Sequence, residues 1–261
     1  MNRSKKLTAT LTILISLSLS CSKEKEQPSN KTQTPAAEKS SAGPPTPASQ
    51  PGAGQGRGMI TGKIIFKGSQ RPGKLSVGKD REVCGDVKPD SSLIVGGDGG
   101  LKNAVVQIAG LREGVKPSQD AVVDQAKCEY VPHVTALPTG GTVTFKNSDG
   151  ILHNIHTVSQ INSPFNRAQP KFLKEIKETF AKPEVIALRC DVHGWMSGWV
   201  IVTDNVYFAV TESDGSFKLT DVPAGKYSLE VWHETLGSAT RQVELKAGET
   251  ANVTIEFQAK K

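Results

Sequence analysis

The stretch "PEVIALRCDVHGWMSGWVIVTD", Pro183 to Asp204, decides the fold. Its flanks, "PEVIALRC" and "GWVIVTD", are short runs rich in Val, Ile and Leu, the composition of buried strands. Between them, Cys190 to Met196 hold a cysteine, a histidine and a methionine. The other two methionines of the chain are Met1 and Met59. Thiolate and thioether favour cuprous ion, and imidazole also accepts cupric ion. A Cys-x2-His-x2-Met spacing between two neighbouring strands therefore reads as a tight metal-ligand loop at a strand end.

A complete copper set needs a second histidine from a distant loop. It stands in "FKNSDGILHNIHTV", where His153 follows another strand end, 37 residues before Cys190. The surrounding chain has the same texture. "MITGKIIFKG", "LKNAVVQIAG" and "GTVTFKNSDG" read as strands, separated by turn signals such as "GGDGG" and "PTGG". The segment "QPKFLKEIKETF" is the one helix candidate, and it also reads as a loop or strand. The expected class is all-β, built as an antiparallel sandwich. After Thr203, "YFAVTESDGSFKLTDVPAGKYSLEVWHE" alternates around an Asp214-Gly215 turn and a Pro-Ala-Gly turn. "TRQVELKAGETANVTIEF" adds two more strands.

These segments carry two resemblances. "NSDGILHNIH" is similar to the "N-x-D-x-x-x-H-N-v-H" segment of cupredoxins, the type 1 blue copper family, and "CDVHGWM" to their ligand loop, with the loop length of the amicyanin and plastocyanin-like members. The resemblance covers residues 59–203 and implies a Greek-key β-sandwich. It implies copper ligands at His153, Cys190, His193 and Met196, the last weak and axial. Asn154 matches the residue that ties the two ligand loops together near the thiolate. Gly194 departs from the pattern, because the family often has proline beside the ligand histidine. The C-terminal wording "DGSFKLTDVPAGKY" resembles carboxypeptidase-regulatory-like, transthyretin-like modules. The expected division is a copper domain over 59–203 and a small second sandwich over 204–261. "GMITGKIIFKG" also resembles the opening strand of such modules. Together the two parts look like bacterial proteins of the methylamine-utilisation type.

Each residue has a plainer reading. Alone, Cys190 is a buried thiol, Met196 core filler and His193 a surface residue. Trp195, between two ligands, reads as a hydrophobic shield over the metal or as a docking surface for a redox partner. His156 is expected to face away from the site. His133 reads as structural or exposed, and His233 as packing on Trp232 or capping a turn.

Cys84 and Cys128 are 44 residues apart and lack the Cys-x-x-Cys spacing of a zinc pair. In an oxidising compartment they read as a disulfide, worth roughly 3–4 kcal/mol in the chain-entropy view. Such a compartment is expected from the first residues. Arg3, Lys5 and Lys6 precede an apolar run, Leu7 to Leu19, and "LSLSCSK" resembles a bacterial lipobox with Cys21 acylated. Its position −3 is Ser18, with the usual leucine one residue earlier at Leu17. Residues 22–58 are rich in Pro, Ser and Lys, and up to residue 57 contain no aliphatic side chain larger than alanine, a composition for a disordered tether.

The net charge of +6 includes the basic leader, and no basic stripe with interleaved aromatics is present, which argues against nucleic acid. No Ser-His-Asp arrangement, paired carboxylates or phosphate loop argues for an enzyme. The leading expectation is a lipid-anchored periplasmic or cell-surface carrier of single electrons, with copper as cofactor and an envelope redox protein as donor or acceptor. Two alternatives stand beside it: copper storage, delivery or sensing, and a surface adhesion or carbohydrate-binding lipoprotein in which the sandwich is scaffold.

Overall fold

The computed structural model describes residues 56–70, 73–111 and 119–259. The expected signal segment, the acylated Cys21 and nearly all of the tether lie outside them. In chain order the chain forms β1 (Arg57–Lys67), β2 (Lys74–Ser76), the one-turn helix α1 (Arg81–Cys84), β3 (Val87–Pro89) and β4 (Val105–Ile108). Next come β5 (Ala121–Ala126), β6 (Glu129–Val131), β7 (Val134–Pro138), β8 (Thr142–Asn147), β9 (His153–Val158) and β10 (Asn166–Gln169). Then follow β11 (Glu175–Thr179), β12 (Glu184–Arg189), β13 (Ser197–Thr203), β14 (Phe208–Val210), β15 (Ser216–Pro223), β16 (Gly225–His233), β17 (Gly237–Leu245) and β18 (Thr250–Gln258). The protein is all-β, and α1 is the one helix among the described residues.

The strands form two sandwiches. One places the five-stranded sheet β10-β9-β12-β13-β7 against the four-stranded sheet β11-β8-β5-β6. Its core holds Val123, Phe145, Ile155, Ile186, Leu188 and Val200 together with Cys190 and Met196. The other places β15-β1-β18 against β14-β4-β16-β17. Its core holds Ile60, Ile64 and Phe66 of β1 with Phe217, Leu219, Leu229 and Phe257. Alternation explains these faces: every second residue of β18 is buried, from Ala251 to Phe257, while the intervening polar residues meet water.

The sandwiches are not consecutive in sequence, so a cut at 203/204 does not describe them. β1 pairs in parallel with β18 and antiparallel with β15, and β4 lies between β14 and β16. Two strands from before the candidate-ligand region thus complete the C-terminal sandwich. β15, β16 and β18 each have an apolar row to cover, and the apolar rows of β1 and β4 provide the match. The expected antiparallel pairing is also modified, because β5–β8 and β7–β13 pair in parallel, as do β1–β18. "QPKFLKEIKETF" resolves as a turn followed by β11, whose backbone pairs with β8. The Asp214-Gly215 turn carries the chain from β14 to β15, strands of the two facing sheets. Gly215 has φ 76°, and a Cβ there would lie 2.3 Å from the Ile64 carbonyl oxygen.

Between β1 and β4 the chain makes a small excursion. β2 and β3 pair as a hairpin, and α1 sits in the turn joining them. Val77 and Cys84 of this excursion are buried in the core of the first sandwich.

Candidate metal centre

Three elements bring the candidate ligands to one end of the first sandwich. His153 opens β9, Cys190 follows β12 directly, and Met196 precedes β13. β12 pairs with both β9 and β13, so the three strand ends are neighbours. The loop folds back on itself, with the Met196 N–H donating to the His193 carbonyl at 2.8 Å. All four side chains are buried: His153 and His193 at 0%, Cys190 at 2% and Met196 at 3% exposure.

The donor atoms of three ligands converge. Cys190 Sγ lies 3.9 Å from His153 Nδ1 and 3.8 Å from His193 Nδ1, and the two Nδ1 atoms are 2.9 Å apart. A circle through three points at those separations has a radius of about 2.1 Å, against roughly 2.0–2.3 Å for bonds from a divalent ion to imidazole or thiolate. The triangle therefore has the dimensions of a metal-ligand face. Met196 shares the same buried cluster as Cys190.

The outer nitrogens settle which atoms can bind metal. His153 Nε2 lies 2.9 Å from Asp149 Oδ2, and His193 Nε2 lies 2.8 Å from Asp80 Oδ2. An ionised carboxylate only accepts, so both Nε2 atoms carry protons and both Nδ1 lone pairs turn inward. Two lone pairs and a thiol facing one another in a dry pocket leave room for one positive charge, a shared proton or a metal ion. Burial alone would raise the Cys190 thiol, but bonds from His153, Asn154 and His193 and the charge of His153 bring it below its ordinary value. For His153, burial works against the charged form, yet Asp149 and Cys190 raise it overall. For His193, burial dominates and lowers it, against the raising bond to Asp80. The metal-free pocket thus favours a thiolate beside a protonated His153, and a metal ion taking that proton's place would meet one thiolate and two imidazole nitrogens, a donor set that suits copper.

Asn154 joins the two ligand segments. Its Oδ1 accepts the Asp191 N–H at 2.7 Å and the Val192 N–H at 3.2 Å, and lies 3.4 Å from Cys190 Sγ. The Tyr130 hydroxyl sits 2.7 Å from the Asn154 carbonyl and 2.9 Å from that of Arg189. Trp195 is half-buried, its ring centroid 5.0 Å from that of His193, and its Nε1–H donates to the Cys128 carbonyl at 3.2 Å. Cys84 and Cys128 are joined, with S–S 2.00 Å, and Cys190 is the free cysteine among the described residues.

The remaining histidines stand outside the triangle. His156 Nδ1 pairs with Asp191 at 2.9 Å on the surface. His133 pairs with Glu234, which also accepts the Trp199 Nε1–H at 2.8 Å. His233 is buried and its Nδ1 accepts the Thr235 N–H at 3.2 Å, closing a turn. Gly194 is exposed, and a Cβ there would touch nothing within 4 Å.

Two contributors escaped the sequence reading. Asp149 stands inside the "NSDGILH" segment, four residues before His153, and that spacing was a usable signal. Asp80 lies 113 residues from His193 and left no local trace.

Residues 199–258 match the carboxypeptidase regulatory-like domain family. No curated protein matches the chain. Among solved structures, the chain is similar to a reduced amicyanin mutant at 28% identity, covering 32% of this chain and 82% of that one, with TM-score 0.30. A purple cupredoxin from Nitrosopumilus maritimus is similar at 25% identity, covering 32% of this chain and 100% of that one, with TM-score 0.27. The copper-containing nitrite reductase of Thermus scotoductus SA-01 is similar at 23% identity and TM-score 0.31; the match covers 36% of this chain and 24% of that enzyme's chain.

Proposed function

We propose that the chain binds one copper ion at His153, Cys190, His193 and Met196 and carries electrons one at a time. One observation carries the reading: a buried thiol and two imidazole Nδ1 atoms meet within bonding distance of a common point, with both outer nitrogens already committed to carboxylates. When bound, copper supplies the one-electron couple between its cuprous and cupric states. The protein supplies everything that keeps that couple fast. Cys190 offers a thiolate made accessible by its neighbours. His153 and His193 are held in one tautomer, so neither ring must turn over when the charge changes. Met196 adds a thioether from the same loop, and the core around Phe145 and Leu188 keeps water away.

The test is the optical and EPR spectrum of the purified protein after addition of cupric ion. An intense thiolate-to-copper band that disappears in Cys190→Ser supports the proposal. Tight copper uptake without that band, or a band unchanged in the variant, refutes it.

A second reading, copper storage or delivery, is favoured by one feature: the His193 ring is wholly buried, and its outer nitrogen is covered by Asp80. Fast electron self-exchange supports the carrier, whereas sluggish exchange with ready transfer to a chelator supports delivery. For location, we propose an envelope protein acylated at Cys21 and exchanging electrons with a redox partner there, on the strength of the leader-like first residues and the disulfide. Radiolabelled palmitate incorporated by the chain and lost in Cys21→Ala is the expected result; no incorporation refutes the anchor.

A further inference from the structure

Both carboxylates that meet the candidate ligand histidines are tied to one disulfide: Asp80 by its place in the chain, and Asp149 by bonds from the backbone at Cys128. On one side, Asp80 lies four residues before Cys84, and the Val83 and Cys84 N–H groups donate to the Asp80 carbonyl at 3.0 and 2.9 Å. The Asp80 side chain then accepts from His193 Nε2. On the other side, the Cys128 N–H donates to Asp149 Oδ2 at 2.7 Å, and the same oxygen accepts from His153 Nε2. The Cys128 carbonyl receives the Trp195 indole N–H.

The backbone is bent to make this arrangement. Five non-glycine residues among those described have positive φ, and three of them are Asp80 at 50°, Lys127 at 53° and Cys128 at 56°. An aspartate before a helical turn ordinarily caps it, yet Asp80 makes no side-chain cap bond to α1. Glycine would adopt its backbone with less strain but would bring no carboxylate to His193. Lys127 and Cys128 form a two-residue hairpin turn whose positive φ angles usually call for Asn-Gly. The Asp149 carboxylate collects both of their N–H groups, an anion seated in a backbone nest.

We infer that the Cys84–Cys128 disulfide is a positioning element of the metal site, holding Asp80 and Asp149 so that both histidine rings present Nδ1 inward. Loop-closure entropy depends on how many residues a bridge closes and not on what the bridged residues touch. This one sits between the two segments that reach the outer nitrogens. The metal in this inference rests on the copper proposal; the ring geometry does not.

The test uses the full, metal-free chain. Long-range nitrogen–proton NMR of the imidazoles reads which nitrogen carries the proton. In the wild type, His153 and His193 should both show Nε2–H. In Asp80→Gly, whose backbone is relieved of strain, the fold should melt no lower, while His193 loses its fixed tautomer and His153 keeps it. In Cys84→Ala/Cys128→Ala, both rings should lose theirs, and copper affinity measured against a competing chelator should fall about 10–100-fold, the usual effect of losing such outer partners. Folding of the double variant is checked by circular dichroism; if it does not fold, Asp80→Gly decides alone. An Asp80→Gly protein with His193 still held as Nε2–H overturns the inference, as does a folded double variant with both rings unchanged. If the wild type takes up no copper, the function proposal fails, and the ring signals still judge the positioning.

Discussion

Removing the Asn154 side chain should loosen the ligand loop before any metal is bound. Its Oδ1 accepts the N–H groups of Asp191 and Val192, and its Nδ2–H donates to Asn166 Oδ1 at 2.7 Å. Asn154 is 5% exposed, while the loop amides it serves are partly within reach of water. Each lost bond then costs about 1 kcal/mol, more where a freed N–H stays dry, so Asn154→Ala should cost about 2–4 kcal/mol. For a protein of this size, that is a fall of roughly 5–15 °C in the melting temperature. Asn154→Asp separates the tie from the electrostatics. It keeps the acceptor for both loop amides but sets a buried carboxylate against Asn166 Oδ1, so it should melt below the wild type even with the tie in place. It also places a negative group where Oδ1 now lies 3.4 Å from Cys190 Sγ, so the thiol should titrate higher, read as thiolate absorbance in the ultraviolet. Melting of the metal-free Asn154→Ala protein within 2 °C of the wild type, roughly half a kcal/mol, would refute the claim that this side chain joins the two segments.

Met196→Leu should leave copper bound, because three ligand atoms remain, and should shift the reduction potential upward; loss of all copper binding would contradict a weak axial role. Glu184 gives a pH test away from the metal. Burial works against its charge, but Ser159, the N–H groups of Gln160, Ile161 and Asn162, and the Asn162 amide all donate to it, bringing its pKa from 4.5 to about 2. A depressed acid stabilises the fold above its ordinary value and loses that stabilisation as pH falls through 4.5 toward 2. The wild-type melting temperature should fall across that window, and Glu184→Gln should start lower at pH 7 and fall less; parallel curves would falsify the assignment.

Much of this was legible in the sequence, because side-chain period reports which face of a strand is buried. The alternation in "MITGKIIFK" and "ANVTIEF" gives β1 and β18 directly. The convergence of Cys190, His193 and His153 was legible because their donor types are rare and the spacing in the loop is short. "QPKFLKEIKETF" was ambiguous: lysines and glutamates meet water on a helix face or a strand face alike, so only pairing with β8 decides it. The turn at Lys127-Cys128 was invisible. Its residues lack the glycine or asparagine that announces positive φ, and the compensating group, Asp149, comes from another loop. Asp80 was invisible for the same reason, since a contact spanning 113 residues has no period.

The division between the sandwiches follows from one pairing. β4 and β14 are adjacent antiparallel strands, with Val105 opposite Val210 and Gln107 opposite Phe208. The end of β4 and the start of β14 therefore lie side by side, and the sandwich of β5 to β13 leaves and returns between them. A guest with neighbouring ends can occupy such a junction without disturbing its host. Asn205 fastens the junction: its Nδ2–H donates to the Ile108 carbonyl at 2.7 Å, and its Oδ1 accepts the Tyr207 N–H at 2.8 Å. The candidate ligands belong to the guest, but Asp80 and Cys84 belong to the β1–β4 connection of the host. Residues 119–204 expressed alone would keep His153, Cys190, His193 and Met196, yet would leave Cys128 without its disulfide partner and the outer nitrogen of His193 without a carboxylate. The candidate site thus draws on chain from outside the inserted segment: the β1–β4 connection, packed into the guest's core through Val77 and Cys84, brings the carboxylate that meets His193.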